Sequence, residues 1–242
     1  MVTATGSTEG MNCAQGTCAC ASAGTLRVAV LVSGRGSNLQ ALIDAQRRGG
    51  MPIELVLVAS DKAQAPALRR AERAGIATLA LDPRGYTTRA AFDADLFARI
   101  GALAPDLIVL AGFMRIIDPA ALAPWQGRII NIHPSLLPKY PGLHTHARAI
   151  AAGDPTHGAT VHYVTAQLDG GPAIAQAQIH IVPGDTPDTL AQRLLAHEHE
   201  LLVACVDLIA RERVRLDGTI VKLDGVALRH PLCIGGDQSP AA

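Results

Sequence analysis

Two polar side chains break the apolar run that begins at Ile129: an amide at Asn131 and an imidazole at His133. On a strand, residues i and i+2 share a face, so the two groups emerge together. Pro134, Pro138 and Pro141 follow. Neither a helix nor a paired strand continues through that series, so the chain becomes a stiff loop ending at Gly142. In open α/β sheets, ligands bind outside the carboxyl ends of the strands, which is where this pair falls. A buried Asn or His on a strand also serves as a hydrogen-bonded core residue, so the pair alone does not define a reaction.

A second constellation lies upstream. The apolar run Leu26–Val32 is followed by Ser33-Gly34-Arg35-Gly36-Ser37-Asn38, then by a helical pattern that Gly49-Gly50 ends. A strand, a Gly-rich turn and a helix start make an anion site, with backbone N–H groups and the positive helix end facing the ligand. No Lys-Ser or Lys-Thr pair follows, so the loop is not a Walker A loop. Gly34-x-Gly36 opens a dinucleotide fingerprint, but Leu39 stands where the third Gly belongs. Asp61 would imitate the ribose-binding acid of a nicotinamide enzyme. A single phosphate suits the loop better.

These groups need elements to position them. Strands are expected at Ile53–Ser60, Ile76–Leu81 and Asp106–Gly112, and helices at Ala65–Ala74 and Thr87–Leu103. The second helix would turn Ala91, Leu96, Ile100 and Leu103 inward. Arg89 lies in its first turn, where a cation opposes the helix dipole; it is either solvated or a second anion contact. Phe113 to Ile117 reads as core or as the wall of a pocket for a flat apolar ligand. Further on come a short helix at Thr145–Ala152 and antiparallel strands at 157–164 and Ala173–Ile181. Between those strands lies the turn Leu168-Asp169-Gly170-Gly171-Pro172, where Asp169 alone reads as an Asx-turn residue. A long helix follows at Asp185–Ala210 and a terminal strand at Val214–Leu223. The alternation calls for an α/β fold: a Rossmann-like, mostly parallel sheet with helices on both faces and antiparallel strands in the C-terminal part. Residues 25–232 are expected to form one domain, between an extension (1–24) and a tail (233–242) whose composition predicts disorder and flexibility.

Bulk properties narrow the class. The chain has 242 residues, 3% aromatics and zero formal net charge. No basic stripe argues for a nucleic-acid partner, and no apolar run suits a membrane span. The first 24 residues lack a signal-peptide pattern, and the uneven placement of the five Cys is not a secreted disulfide framework. A reduced cytoplasmic compartment is expected. Cys13, Cys18 and Cys20 match neither zinc nor ferredoxin spacing, and His197-Glu198-His199-Glu200 is not H-E-x-x-H, so no metal site is read. Oligomeric state is not readable.

Taken together, Ser33-Gly34-x-Gly36-Ser37-Asn38-Leu39, Ala111-Gly112-Phe113-Met114-Arg115, the stretch Asn131–His146, and Leu168-Asp169-Gly170-Gly171-Pro172 resemble the phosphoribosylglycinamide formyltransferases, folate-dependent enzymes of purine synthesis. The resemblance runs from about Leu26 to Leu232. It implies transfer of a formyl group from 10-formyltetrahydrofolate, as co-substrate, to the primary amine of glycinamide ribonucleotide, without a metal. Asn131, His133 and Asp169 would be catalytic. Gly36, Ser37 and Asn38 would hold the ribonucleotide phosphate, and Arg89 and Glu198 its phosphate or ribose. Met114, Arg115, Ile116 and Leu143 would contact the folate, with Ser135 and His162 in support. Arg35 and Leu195 depart from the family pattern at positions near the ribonucleotide. The alternatives are a formyltetrahydrofolate hydrolase, a formyl transferase to another amine and, more remotely, a nicotinamide oxidoreductase or a non-catalytic nucleotide-binding module.

Overall fold

The computed structural model describes residues 24–237. The three N-terminal cysteines, the proposed extension up to residue 23 and the last five residues lie outside that range.

β1 (Leu26–Val32) leads into α1 (Ser37–Arg48), β2 (Ile53–Ser60), α2 (Pro66–Arg73) and β3 (Thr78–Ala80). Then come α3 (Arg89–Gly101), β4 (Leu107–Leu110), α4 (Pro119–Leu122) and β5 (Ile129–His133). The C-terminal part adds α5 (Thr145–Ala151), β6 (Thr156–Tyr163), β7 (Ala173–His180), α6 (Pro187–Ala210), β8 (Val214–Asp217), β9 (Ile220–Leu223), β10 (Val226–Ala227) and β11 (Leu232–Gly236).

One sheet of eight strands runs β11-β7-β6-β5-β4-β1-β2-β3. All its neighbouring pairs are parallel except those of β6, which runs against both β5 and β7. The strand order turns back between β1 and β4, so the loops after these two strands flank a crevice at the carboxyl edge. They are stitched together there. Ser33 N–H donates to the Gly112 carbonyl (3.0 Å), and Met114 N–H to Ser33 Oγ (2.9 Å).

The two sheet faces carry separate cores. α1, α2 and α6 cover one with Leu39, Leu42, Leu68, Leu194 and Leu201; α3 and α4 cover the other with Phe92, Leu96, Phe97, Ile100 and Leu122. Helices on both faces explain why β1 and β4 are buried along nearly all their length rather than alternating. The inward face of α3 differs from the expected one. Phe92 and Phe97 are buried, whereas Leu103 is 37% exposed. Asp93 goes inside with them, its Oδ2 accepting Asp118 N–H at 2.7 Å.

Two expectations fail in the C-terminal region. Val214–Leu223 is not one strand but a hairpin, β8 against β9, extended by β10. Gly218 takes φ 58 at the first loop position, as a type II′ turn requires, and Asp224-Gly225 takes φ 50 and 82, as type I′ requires. Likewise, residues 233–236, expected in the tail, continue the strand β11 that begins at Leu232. β11 pairs in parallel with β7 at the sheet edge, held further by Gly236 N–H on His197 Nδ1 (3.0 Å). Its short run has no strong strand pattern, so the partner decides its conformation.

Candidate active site

The site begins with β5. Its register opposite β6 sets Asn131 against His162 and His133 against Thr160. Residues directly opposite on antiparallel strands share a face, so His162 joins the amide and the imidazole. Asn131 Nδ2 lies 3.2 Å from His162 Nε2, and His162 Nδ1 lies 2.9 Å from the Tyr163 carbonyl. A carbonyl only accepts, so Nδ1 carries the hydrogen and Nε2 accepts from the Asn131 amide. Burial holds the His162 pKa below its ordinary value, which keeps that lone pair available. Asn131 keeps its second N–H for the cavity.

His133 sits between two acceptors. Its Nε2 faces the Tyr140 carbonyl at 2.9 Å, and its Nδ1 lies 3.5 Å from Asp169 Oδ2. Asp169 also approaches His162 Nε2 at 3.7 Å and accepts Gly142 N–H at 2.8 Å. The Asp169 side chain is only 8% exposed. A lone carboxylate at that depth would cost several kcal/mol, so the imidazole and the amide N–H are what make it tolerable. Acceptors therefore face both ring nitrogens of His133.

The loop after β5 is built to present these groups. Ser135 Oγ donates to the Lys139 carbonyl (2.6 Å) and approaches that of Tyr140 (3.3 Å), fixing the oxygen that His133 meets. Thr160 Oγ1 donates to the Ser135 carbonyl at 2.7 Å, tying the loop back to β6. Among the described residues, six non-glycine residues have positive φ, and three of them are Tyr140, His144 and Asp169. Such backbone costs on the order of 1 kcal/mol per residue and gathers where a site constrains the chain. Gly171 explains the Asp-Gly-Gly-Pro turn: a Cβ there would fall 1.8 Å from the Tyr163 carbonyl oxygen, so only glycine lets the turn lie against β6.

Beside this cluster opens a cavity of about 410 Å³, lined by Asn131, His133, Asp169, Met114, Arg115, Ile116 and Leu143, among others. Among the described residues, eight large apolar side chains are exposed, and four of them (Met114, Ile116, Leu143 and Leu168) line this one cavity. That concentration marks a docking surface for an apolar ligand rather than scattered surface residues. Arg115 stacks over Phe92 at 4.6 Å, which holds its guanidinium at the cavity wall. A larger hollow of about 910 Å³ runs along α1 and α6 from Ser37, but Asn131, His133 and Asp169 do not line it.

The Gly loop forms a separate pole. Gly36 caps α1 with φ 72, and neither a side-chain cap nor an acidic residue occupies the first turn. The positive helix end is left open to an anion. Asn38 Nδ2 donates to Glu198 Oε2 at 3.1 Å, while Asn38 Oδ1 is buried without a partner. Burial raises the Glu198 pKa, and the Asn38 hydrogen bond offsets this only in part. An orphaned acceptor beside that carboxyl suits a hydroxyl-bearing ligand. Arg89 is not brought into this group. It starts α3, and its ion-pair partner is Asp118, at 4.0 Å. The Tyr140 carbonyl and the Gly142 N–H are site groups that sequence reasoning missed, because any residue type supplies them.

An Asn–His–Asp cluster lies above the β5 strand end, with an apolar cavity on one side and an uncapped helix start on the other, the layout of an α/β enzyme site with room for two ligands. A family model described as Formyl transferase matches residues 26–206. The phosphoribosylglycinamide formyltransferase of Escherichia coli (strain K12) is 45% identical over 203 residues, covering 84% of this chain and 96% of that protein. The trifunctional purine biosynthetic protein adenosine-3 of Drosophila melanogaster is 48% identical over 72% of this chain, which spans only 13% of that protein's length. A solved phosphoribosylglycinamide formyltransferase from Coxiella burnetii superposes with a TM-score of 0.82 at 45% identity, covering 86% of this chain and 98% of that one. The chain belongs to the formyl transferase family and, within it, to the phosphoribosylglycinamide formyltransferases.

Proposed function

We propose that this chain transfers the formyl group of 10-formyltetrahydrofolate to the primary amine of glycinamide ribonucleotide. The observation that carries the reading is the position of Asp169. It meets both His133 and His162 and lines the apolar cavity together with Asn131. The folate's flat ring system fits the cavity bounded by Met114, Arg115, Ile116 and Leu143. The ribonucleotide phosphate fits the uncapped start of α1 at Gly36, Ser37 and Asn38, and the ribose hydroxyls fit Glu198 and Asn38 Oδ1. Arg89, whose partner is Asp118, supports the phosphate only at longer range.

The neutral amine attacks the formyl carbon, and the carbonyl oxygen becomes an oxyanion. The free N–H of Asn131 donates to it, and such a donor contributes about 3–4 kcal/mol when well placed. His133 adds positive charge. Its 3.5 Å contact with Asp169 is longer than an ordinary hydrogen bond, so Nδ1–H is available to turn toward the oxyanion. Asp169 takes a proton from the attacking nitrogen, directly or through water, and returns it to N10 of the folate as the C–N bond breaks. Tetrahydrofolate and the formamide leave, with no covalent enzyme intermediate. No step calls for a metal ion.

The test follows folate release with and without the ribonucleotide. Release that requires the ribonucleotide is expected, and Asp169→Asn should lower kcat by about a hundredfold or more with little change in substrate binding. Release that ignores the ribonucleotide would indicate a hydrolase. An unchanged kcat would remove Asp169 from proton transfer.

A further inference from the structure

The Gly loop does not stand alone at the surface. It leans on α2, whose Ala67 N–H donates to the Gly34 carbonyl at 3.3 Å. Arg70 Nε donates to the Arg35 carbonyl at 2.9 Å, and Arg70 Nη1 to Gln40 Oε1 at 3.0 Å. Beside this junction, α1 and α2 enclose a hollow of about 410 Å³ whose lining is Gln40, Arg47, Pro66, Arg69, Arg70 and Arg73.

The charge is local, because the chain's formal net charge is zero. Among the described residues, none of Arg35, Arg47, Arg48, Arg69, Arg70 and Arg73 forms an ion pair. The two carboxylates on these helices are Asp44, which accepts from Gln40 Nε2 at 2.9 Å, and Glu72. The side chains of Arg69 and Arg73 are without any partner among the described residues, and both residues are exposed. Guanidinium groups that line one hollow without an ion-pair partner repel one another. Such a concentration of unpaired positive charge attracts a phosphate. None of the residues lining the apolar cavity lines this hollow.

We propose that the α1–α2 arginine hollow is a peripheral phosphate site that gathers the phosphorylated substrate beside the Gly loop and hands it on. The proposal rests on the ribonucleotide reading above. It adds a collecting surface to the loop that holds the phosphate during reaction. A cationic patch beside a binding site raises the encounter rate of an anion, and salt erases the gain. The hollow therefore acts on kcat/KM for the ribonucleotide and not on kcat or on the folate.

The test is the double variant Arg69→Gln/Arg73→Gln, whose side chains hold nothing in the fold, assayed at low and at high ionic strength. At low salt kcat/KM for glycinamide ribonucleotide should fall roughly threefold to tenfold, with kcat and the folate KM unchanged. At high salt the difference should vanish. Arg69→Lys/Arg73→Lys should retain most of the wild-type value, since steering needs charge rather than fork geometry. An unchanged low-salt kcat/KM, or a fall in kcat to match, would overturn the proposal. A calorimetric titration with inorganic pyrophosphate separates the two ideas. If the wild type shows no ribonucleotide-dependent turnover, the substrate reading fails. The hollow then stands if the Gln double variant binds pyrophosphate more weakly and falls if it binds equally well.

Discussion

At the scale of single residues, the site depends on which way one amide points. Asn131 offers N–H to the cavity only because its other N–H is held by His162 Nε2, and that nitrogen accepts only while the ring is neutral. His162 is therefore a positioning residue. His162→Leu removes the acceptor at similar volume and should lower kcat by about tenfold or more, with KM for both substrates nearly unchanged. His162→Gln, which retains an acceptor, should recover part of the loss. Steady-state kinetics of the two variants decide the matter, since a merely structural role would lower the folded fraction in both without separating them. Sequence spacing placed Asn131 and His133 on one face, and that much was legible. The tautomer of His162 was not, because it is set by the Tyr163 carbonyl.

At the scale of elements, the Gly loop is a joint between α1 and α2 as well as an anion site. Gly36 has φ 72, and a Cβ there would lie 2.5 Å from the Ala67 Cβ and 3.0 Å from its Cα. Gly36→Ala is expected to destabilise the fold by roughly 1–3 kcal/mol through strain and overpacking. It should also push the loop off α2 and raise KM for the ribonucleotide more than KM for the folate. A denaturant midpoint and the two KM values check this; equal midpoints for variant and wild type would mean that the joint yields freely. The C-terminal hairpins show the opposite case. Asp217-Gly218 and Asp224-Gly225 are strong turn signals, and reading Val214–Leu223 as one strand passed over the first. β11 lacked any comparable signal. Its place was decided by the free edge of β7 and by His197.

At the scale of the whole molecule, acid sensitivity should come from beneath the site. His157 is 1% exposed and packs edge-on against His146, with ring centroids 4.8 Å apart. Burial, and then the neighbouring His146, push the His157 pKa down from 6.5 to about 4. An unfolded His157 takes up its proton near pH 6.5, whereas the folded one waits until about pH 4. Between those values the unfolded chain binds more protons, so stability falls as pH drops through that window and levels off below it. The loss is on the order of 3 kcal/mol for this group. His157→Asn should flatten that limb in urea melts taken across the window. A limb that keeps its slope in the variant would assign the acid loss to other groups, such as His146 or His199, whose pKa values are also lowered by burial.

The sequence by itself determined the alternating elements, the Gly loop, the Asn131/His133 face and the family resemblance. All of these follow from local periodicity, turn chemistry and contiguous motifs, which short stretches of chain carry within themselves. Apart from the family resemblance, which already grouped the two, the residues left Asp169 in an isolated turn; the tertiary structure closes it onto His133, some 36 residues earlier. It also decided that the Tyr140 carbonyl and Gly142 N–H complete the cluster, that α3 turns Asp93 inward, and that residues 232–236 complete the sheet. The physical reason is common to all four. Each depends on a partner that local patterning does not mark, either a backbone group that any residue type supplies or a burial that only the folded neighbours impose.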